Sequence, residues 1–441
     1  MGRPNIILIN CDDLGYGDPG CYGSETHSTP ALDRLAAEGM RFTDFYMAAP
    51  ICSPSRSAMM TGCYAERVGL ETGAEIGVLR PGEPIGLNPD EITVAGILSD
   101  QGYATQIIGK WHCGDQPPFL PTNHGFDSYY GIPYSNDMGI SRRHPEFPPL
   151  PLVRDGEVIQ SQPDQAALTE RYTEEAVRFI RENRSRPFFL YLAHMYVHVP
   201  IYAPERFLKQ SRDGAYGAAV EHVDFCAAVL LHELEQLGLD RNTMVIFTSD
   251  NGAVDRPGSN APLRGHKGTT WEGGMRVPCI VRWLEAVPAG SECSEIATAM
   301  DFLPTFARLA GVSPPTDRII DGKDIGPLLR GEPGAASAYD AFYYYREGEM
   351  QAIRRGAWKL HLANGELYNL RKDIGETEDL APEEPDVVKD LQGAAESGRR
   401  DLGDALTGAP GENRRPCGRV DDPVPLTRQD PNDPYMIAMY D

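Results

Sequence analysis

Two short acidic runs stand where an open α/β sheet builds its ligand sites. Asp12-Asp13 follows the apolar run Asn5 to Ile9, and Asp250-Asn251 follows Met244 to Thr248. Both apolar runs read as strands covered on both faces, and ligands bind outside the carboxyl ends of such strands. Two strands can then aim three carboxylates and one amide oxygen at a single point. That donor set suits a hard divalent cation, calcium or magnesium, better than zinc, which prefers nitrogen and sulfur. Either pair alone reads more often as a turn or a helix cap than as a metal site, and it is the two together, both after strands, that point to the cation.

Between these pairs lies Ile51-Cys52-Ser53-Pro54-Ser55-Arg56-Ser57-Ala58-Met59-Met60-Thr61-Gly62. Ser53 predicts a helix cap, with Pro54 in the first turn and Gly62 as the stop. Cys52 then sits at the positive end of the helix dipole, where anions are favoured and a plain cysteine tends toward thiolate. A buried cysteine before an ordinary capped helix is the competing reading. Lys110, His112, His198 and Lys267, each taken alone, read as loop charges or satisfied histidines.

The elements that must position these residues alternate between strand and helix. Apolar runs at Asn5 to Ile9, Thr105 to Ile108, Phe188 to Ala193, Met244 to Thr248 and Cys279 to Trp283 are separated by amphipathic stretches. This predicts α/β layering with a largely parallel sheet. Helices are expected after Thr29-Pro30, over Thr169 to Glu182, over Tyr216 to Leu237 and over Thr305 to Ala310. A glycine- and alanine-rich stretch running to Ala338 marks a domain edge, followed by short strand-like runs from Tyr343 to Asn369 that predict a small antiparallel sheet. Between Glu376 and Asp390 seven carboxylates face one lysine, which predicts a solvated segment. The tail from Gly408 is expected to wrap the surface irregularly.

The chain of 441 residues carries 41 Lys plus Arg against 64 Asp plus Glu, a net charge of −23. Such a surface repels nucleic-acid phosphates and acidic membranes, so an anionic substrate must meet a local positive site. No run approaches the ~20 apolar residues of a membrane-spanning helix. With no signal peptide visible the expectation is cytoplasmic, or periplasmic or secreted if an export signal has been trimmed. The nine cysteines form no CxxC pair and are expected as reduced thiols.

Cys52-x-Pro54-Ser55-Arg56 resembles the signature of the formylglycine-dependent type I sulfatases of the alkaline phosphatase superfamily. In that family the cysteine is oxidised after synthesis to formylglycine, an aldehyde hydrated in the resting enzyme. The rest of the pattern follows in order: Asp12-Asp13, Gly109-Lys110-Trp111-His112, His198-Val199-Pro200, Asp250-Asn251-Gly252, and Gly265-His266-Lys267 through Gly274. Leu367-Tyr368-Asn369-Leu370 resembles the family's C-terminal segment, and the wording is nearest the arylsulfatase type. The resemblance implies an alkaline-phosphatase-like α/β fold: a large, mixed, mostly parallel sheet between helices, then a smaller C-terminal α+β domain with a short antiparallel sheet. The corresponding boundaries are 1–334 for the catalytic domain and 335–441 for the small domain and its irregular tail.

The same resemblance implies one calcium ion, ahead of magnesium, held by Asp12, Asp13, Asp250, Asn251 and an oxygen of the hydrated aldehyde at position 52. It implies Cys52, Arg56, Lys110, His112, His198 and Lys267 as the catalytic set. One hydroxyl of the hydrate attacks sulfur with Asp250 as proton acceptor, giving a covalent sulfo-enzyme. The second hydroxyl loses its proton toward His112, so the aldehyde reforms and expels sulfate. His198 and Lys267 stabilise or protonate the departing alcohol, and Arg56 positions the nucleophile. About three negative ligand charges face two positive ones, so Lys110, Lys267, Arg56 and the helix end must attract the sulfate. The implied partners are a small-molecule or glycan sulfate ester and a formylglycine-generating enzyme, with neither nucleic acid nor membrane. The rival is a phosphonate or phosphate ester hydrolase of the same superfamily. Its metal shell pairs Asp with His, so Asn251 favours the sulfatase. A homologue that binds sulfated ligands without catalysis would lack one of these positions, and here all are filled. Tyr129, Tyr130, Tyr134 and Arg142-Arg143-His144 lie in a proline-rich insertion that either rims the pocket or is a solvated loop.

Overall fold

Every residue of the Asn5–Cys11 strand is buried. Its side chains alternate: Ile6 and Leu8 enter one apolar cluster, while Ile7 and Ile9 enter another on the opposite face. A strand flanked by helices on both sides has no polar face to present, which is why the sequence shows an unbroken apolar run. The computed structural model describes residues 2–73, 77–141 and 144–428. Arg142, Arg143 and the end of the tail from 429 lie outside the described residues.

Asn5–Cys11 is central in a sheet of ten strands. On one side it pairs in parallel with Thr243–Ser249; on the other come Phe188–Ala193, Ala104–Lys110 and Ser128–Ile132, all parallel. The flanks are mixed. Cys279–Arg282 and then Met40–Phe42 run antiparallel to their inner neighbours, with Ser291–Cys293 outermost. Pro151–Arg154 and Glu157–Ser161 form a hairpin at the other edge. Helices Pro30–Glu38, Leu168–Glu182 and Gly214–Gln236 cover one face, and Cys52–Thr61, Val94–Asp100 and Phe302–Leu309 the other. Leu168, Tyr172, Ala176, Phe179 and Ile180 are buried at helical spacing, the stripe that holds their helix on the sheet. Gly214–Gln236 is long and apolar enough by composition to cross a membrane, yet 67% of its apolar window is buried inside the protein.

Several local expectations change in the fold. Tyr129 and Tyr130 lie in the Ser128–Ile132 strand, and these two and Tyr134 are buried, so the tyrosines belong to the core and not to a pocket rim. Ser53 does not cap the next helix. The helix begins at Cys52, with extended Ile51 at the cap position and no side-chain cap bond, and the Ser53 hydroxyl accepts the Leu79 N–H. Thr29 likewise spends its hydroxyl on the Gly20 N–H and on Asp33 instead of capping.

A second sheet, Phe342–Arg346, Glu349–Arg355, Trp358–His361 and Leu367–Asn369, is an antiparallel meander. Helix Pro385–Leu402, which charge counting concealed, packs on it through Leu391, Ala395 and Leu402. The same cluster takes in Tyr46, Ala58, Tyr64 and Met275 from the larger sheet's side. Glu376 is not solvated: it is fully buried, accepts the Glu272 N–H and meets His361. Its cation is Lys359, whose Nζ lies 2.9 Å from both Glu272 Oε1 and Glu376 Oε1 and 2.8 Å from the Thr270 carbonyl. Burial pushes the Glu272 carboxyl up, but Lys359, Arg276 and Arg354 together hold it well below its ordinary value of 4.5. The stability it contributes is therefore present above that value and lost as pH falls through the lower folded value. Lys359→Met should cost about 3–5 kcal/mol at neutral pH, because it strips buried Glu376 of its lysine and leaves Glu272 only its arginines. In urea unfolding the gap from wild type should narrow on acidification; a neutral-pH loss under about 1 kcal/mol would show the pair to be no stronger than a surface one.

Candidate active site

Cys11 and Ser249 are paired at the ends of neighbouring parallel strands, so Asp12-Asp13 and Asp250-Asn251 leave the sheet side by side. The Asp13 N–H reaches Asp250 Oδ1 at 3.3 Å, and Asn251 Nδ2 donates to Asp13 Oδ1 at 2.7 Å. Asp13 holds a left-handed backbone, φ 62°, and His112 does the same at φ 63°. Non-glycine residues in that region cost of order 1–3 kcal/mol and concentrate at functional sites. All four residues of the two acidic runs are buried.

The helix Cys52–Thr61 points its first turn at this edge. Cys52 Sγ donates to Asp12 Oδ1 at 3.3 Å, and Ser55 Oγ donates to the Asp250 carbonyl. Arg56, fully buried, places Nε 2.8 Å from Asp250 Oδ2, donates through Nη1 to the Lys110 carbonyl at 2.8 Å, and leaves Nη2 3.8 Å from Asp12. Lys110 closes its strand and brings Nζ to 2.5 Å from Asp12 Oδ2 and 3.3 Å from Ser135 Oγ. Lys267 Nζ stands 2.7 Å from Asp13 Oδ1. His198 donates through Nδ1 to the carbonyl of Val199 and turns Nε2 toward Asp13 Oδ2 at 3.7 Å. His112 Nε2 meets the Leu79 carbonyl at 2.9 Å.

Electrostatics follows from this packing. Burial would raise Asp12, but Lys110, with His198, Arg56 and Lys267 behind it, holds its carboxyl well below the carboxylate range. Asp250 moves the other way, up to about 6, through burial and then the neighbouring Asp12 charge. Burial, reinforced by Asp12, pushes the Cys52 thiol well up, so of the two readings the sequence left open this geometry favours the buried, protonated cysteine over the thiolate: the dry surroundings and the carboxylate outweigh the dipole. Burial and Lys110 keep His112 neutral, and burial and Lys267 act likewise on His198.

The donor atoms of Asp12, Asp13, Cys52 and His198 all lie within 4.8 Å of one another. His198, expected beside the leaving group, thus joins the tight group, while Asp250 is drawn toward Arg56. Asn251 Oδ1 is buried and has no hydrogen-bond partner among the described residues, its amide nitrogen being committed to Asp13 and Gly252. A buried, unbonded oxygen beside carboxylates is costly, and a divalent cation supplies the missing partner. The residues present therefore fit a hard metal ion. Ser135 and the Leu79 backbone were not visible from sequence, since both arrive through chain folding without a local pattern. Beside His198, a cavity of about 610 Å³ is lined by Asn136, Ile140, Gln165, Val199, Pro200 and Tyr202, with His144 also on its wall.

A family model described as Sulfatase matches residues 4–312, and one described as N-sulphoglucosamine sulphohydrolase, C-terminal, matches residues 266–399. The N-acetylgalactosamine-6-sulfatase of Canis lupus familiaris is 41% identical over 377 residues, covering 81% of this chain and 71% of that one. The steryl-sulfatase of Mus musculus is 38% identical over 429 residues, covering 80% and 69%. Among solved structures, Ps i-CgsB in complex with k-i-k-neocarrahexaose matches with a TM-score of 0.81 at 30% identity, covering 95% of each chain.

With its thiol intact, Cys52 should resist iodoacetamide at neutral pH in the native protein and react only after urea unfolding, as followed by peptide mass. Labelling of the folded protein at the rate of a free thiolate would contradict the raised thiol.

Proposed function

The chain belongs to the sulfatase family and hydrolyses a sulfate monoester to an alcohol and inorganic sulfate; from this we propose a carbohydrate sulfate as substrate, calcium as the metal and formylglycine at position 52. The observation that carries the reading is the position of Cys52. It opens a buried helix, 3.3 Å from Asp12 Oδ1, inside the same group of donors as Asp13 and His198. A maturing enzyme must reach this cysteine before the chain has folded, because the folded site buries it.

Asp12, Asp13, Asp250 and Asn251 would hold the calcium, which when bound polarises the sulfate and offsets its charge. A hydrated formylglycine offers two hydroxyls on one carbon, one to attack sulfur and one whose deprotonation releases sulfate without water attacking sulfur. The chain's own groups do the rest. Three buried carboxylates, Asp12, Asp13 and Asp250, are matched by Arg56, Lys110 and Lys267. A divalent ion therefore leaves the site positive overall, the condition an anionic sulfate head needs. Asp250, with its raised affinity for a proton, is the group suited to accept one from the attacking hydroxyl. His112, kept neutral, accepts the proton of the second hydroxyl. Lys267 and His198, less buried than Lys110, Arg56 and His112, are the groups suited to stabilise the departing alcohol, and Arg56 holds Asp250 in register with the helix.

The carbohydrate assignment draws on the sugar sulfates in the relatives' names and on the polar groups, Asn136, Gln165 and His144, that line the cavity beside Val199 and Pro200. Co-expression with a formylglycine-generating enzyme should lower the intact mass by ~18 Da, sulfur being exchanged for oxygen with loss of two hydrogens. Cys52→Ser should then lose at least about 10³-fold in kcat while its unfolding curve stays that of wild type. A Cys52 peptide from fully active protein that alkylates with iodoacetamide as a free thiol and forms no hydrazone would rule formylglycine out. In a panel of sulfated sugars, aryl sulfates and phosphonate esters, the sugar sulfates should give the highest kcat/KM. Chelation should abolish turnover and calcium should restore it better than magnesium; a preference for phosphonates would favour the rival hydrolase.

A further inference from the structure

His112 does not hold its place unaided. Its Nε2 lies 2.9 Å from the Leu79 carbonyl, and the Leu79 N–H donates to Ser53 Oγ at 3.0 Å. One backbone residue thus touches both the histidine and the neighbour of Cys52. A carbonyl only accepts, so Nε2 carries the proton and Nδ1 keeps its lone pair. Nδ1 is buried and has no partner among the described residues. That is the atom left to take a proton.

The segment bearing Leu79 is held from outside. Ile85–Gly86 pairs antiparallel with Gly418–Arg419, and the Val420 N–H donates to the Pro84 carbonyl at 2.9 Å. Val424 and Gln116 exchange hydrogen bonds of 2.9 and 3.1 Å. Asp115 stands at the crossing. Its Oδ2 accepts the Gly82 N–H at 2.8 Å and the Leu426 N–H at 3.2 Å, while Oδ1 accepts from Gln116 Nε2 at 2.8 Å. Gly82 has φ 77°, and a Cβ there would come within 2.7 Å of Pro425, so segment and tail are in close contact. Upstream, Arg415 grips Glu91 with bonds of 2.7 and 2.9 Å and anchors the start of the tail. Asp115 is only 3% exposed and lies three residues beyond His112, so it joins the histidine's own loop to both other segments.

We propose that Asp115 is a positioning residue for His112. By holding the Gly82 and Leu426 N–H groups on one oxygen, it seats the Leu79 carbonyl against the imidazole, and the C-terminal strap of residues 418–428 serves the reaction without touching a reacting atom. This rests on the proton-accepting role given to His112 above. Without the anchor, Leu79 withdraws, the ring samples both tautomers, and an N–H replaces the lone pair that the reaction needs.

The test combines ¹⁵N-histidine spectra with steady-state kinetics on a sulfate ester, using full-length protein. Wild type should show His112 as the single Nε2–H tautomer, and Asp115→Asn, whose amide oxygen still accepts both N–H groups but whose amide nitrogen then faces Gln116 Nε2, should fall between wild type and Asp115→Ala. Asp115→Ala should show mixed tautomers and a kcat about 10–100-fold lower, the usual effect of losing such a supporting partner, with KM changed by less than about twofold. Leu426→Pro, which removes the tail's N–H along with the packing of the Leu426 side chain, should shift both readouts in the same direction by less, while Leu426→Ala, which keeps the N–H, should not; the pair carries the test if Asp115→Ala does not fold. An unaltered Nε2–H tautomer in both Asp115→Ala and Leu426→Pro, or an effect confined to KM, overturns the positioning role. Undiminished kcat in His112→Ala instead overturns the role of the histidine itself, a failure the tautomer spectra tell apart.

Discussion

The site depends on one electrostatic constraint: three carboxylates buried at the edge of a sheet must be neutralised. Asp12, Asp13 and Asp250 stand where water is excluded, and a carboxylate so placed is tolerable only with a partner. Lys110, Lys267 and Arg56 are those partners, each from a different part of the chain. The pairing also explains opposite behaviour in adjacent groups. Asp12, facing Lys110 at 2.5 Å, is held ionised, while Asp250, beside another carboxylate, has its proton affinity raised. Two acids in one pocket are thereby driven to opposite affinities for a proton.

The architecture serves that constraint. Parallel strands bring Asp12 and Asp250 out side by side, and helices on both faces keep the edge dry. The helix that opens at Cys52 is fixed from two directions. Its Arg56 is tied to the sheet edge, and its Ala58 packs in the apolar cluster shared with the small antiparallel sheet. The buried set Glu272, Lys359 and Glu376 lies between the glycine-rich segment carrying Lys267 and the second sheet. Placement of Lys267 is therefore coupled to the folding of the C-terminal part, which is more than a surface attachment.

Much of this was legible in the residues themselves. The apolar runs announce strands because both faces are covered, and acidic pairs directly after two of them announce a hard-cation site. The motif around Cys52 marks the chain as a sulfatase. Where sequence reasoning failed, nonlocal contacts had redirected a local preference. Ser53 has the chemistry of a cap, but Leu79 offers it a better partner. Cys52 has the position of a thiolate, but burial and then Asp12 raise its affinity for a proton. Glu376 sits in a run of acids that reads as solvated, yet a lysine from the second sheet draws it into the interior.

What the sequence determined by itself was the inventory: which side chains could bind an ion, attack sulfur or carry charge, and which strands could carry them. Such features are local, set by residue type and by spacing of a few positions. Only the tertiary structure decided which of them meet. It brought His198 into the tight donor group, directed Arg56 to Asp250, left the Nδ1 face of His112 unbonded, and tied the C-terminal strap to the segment that orients that ring. Those outcomes follow from distances between residues tens to hundreds of positions apart, and chain order alone does not encode a distance.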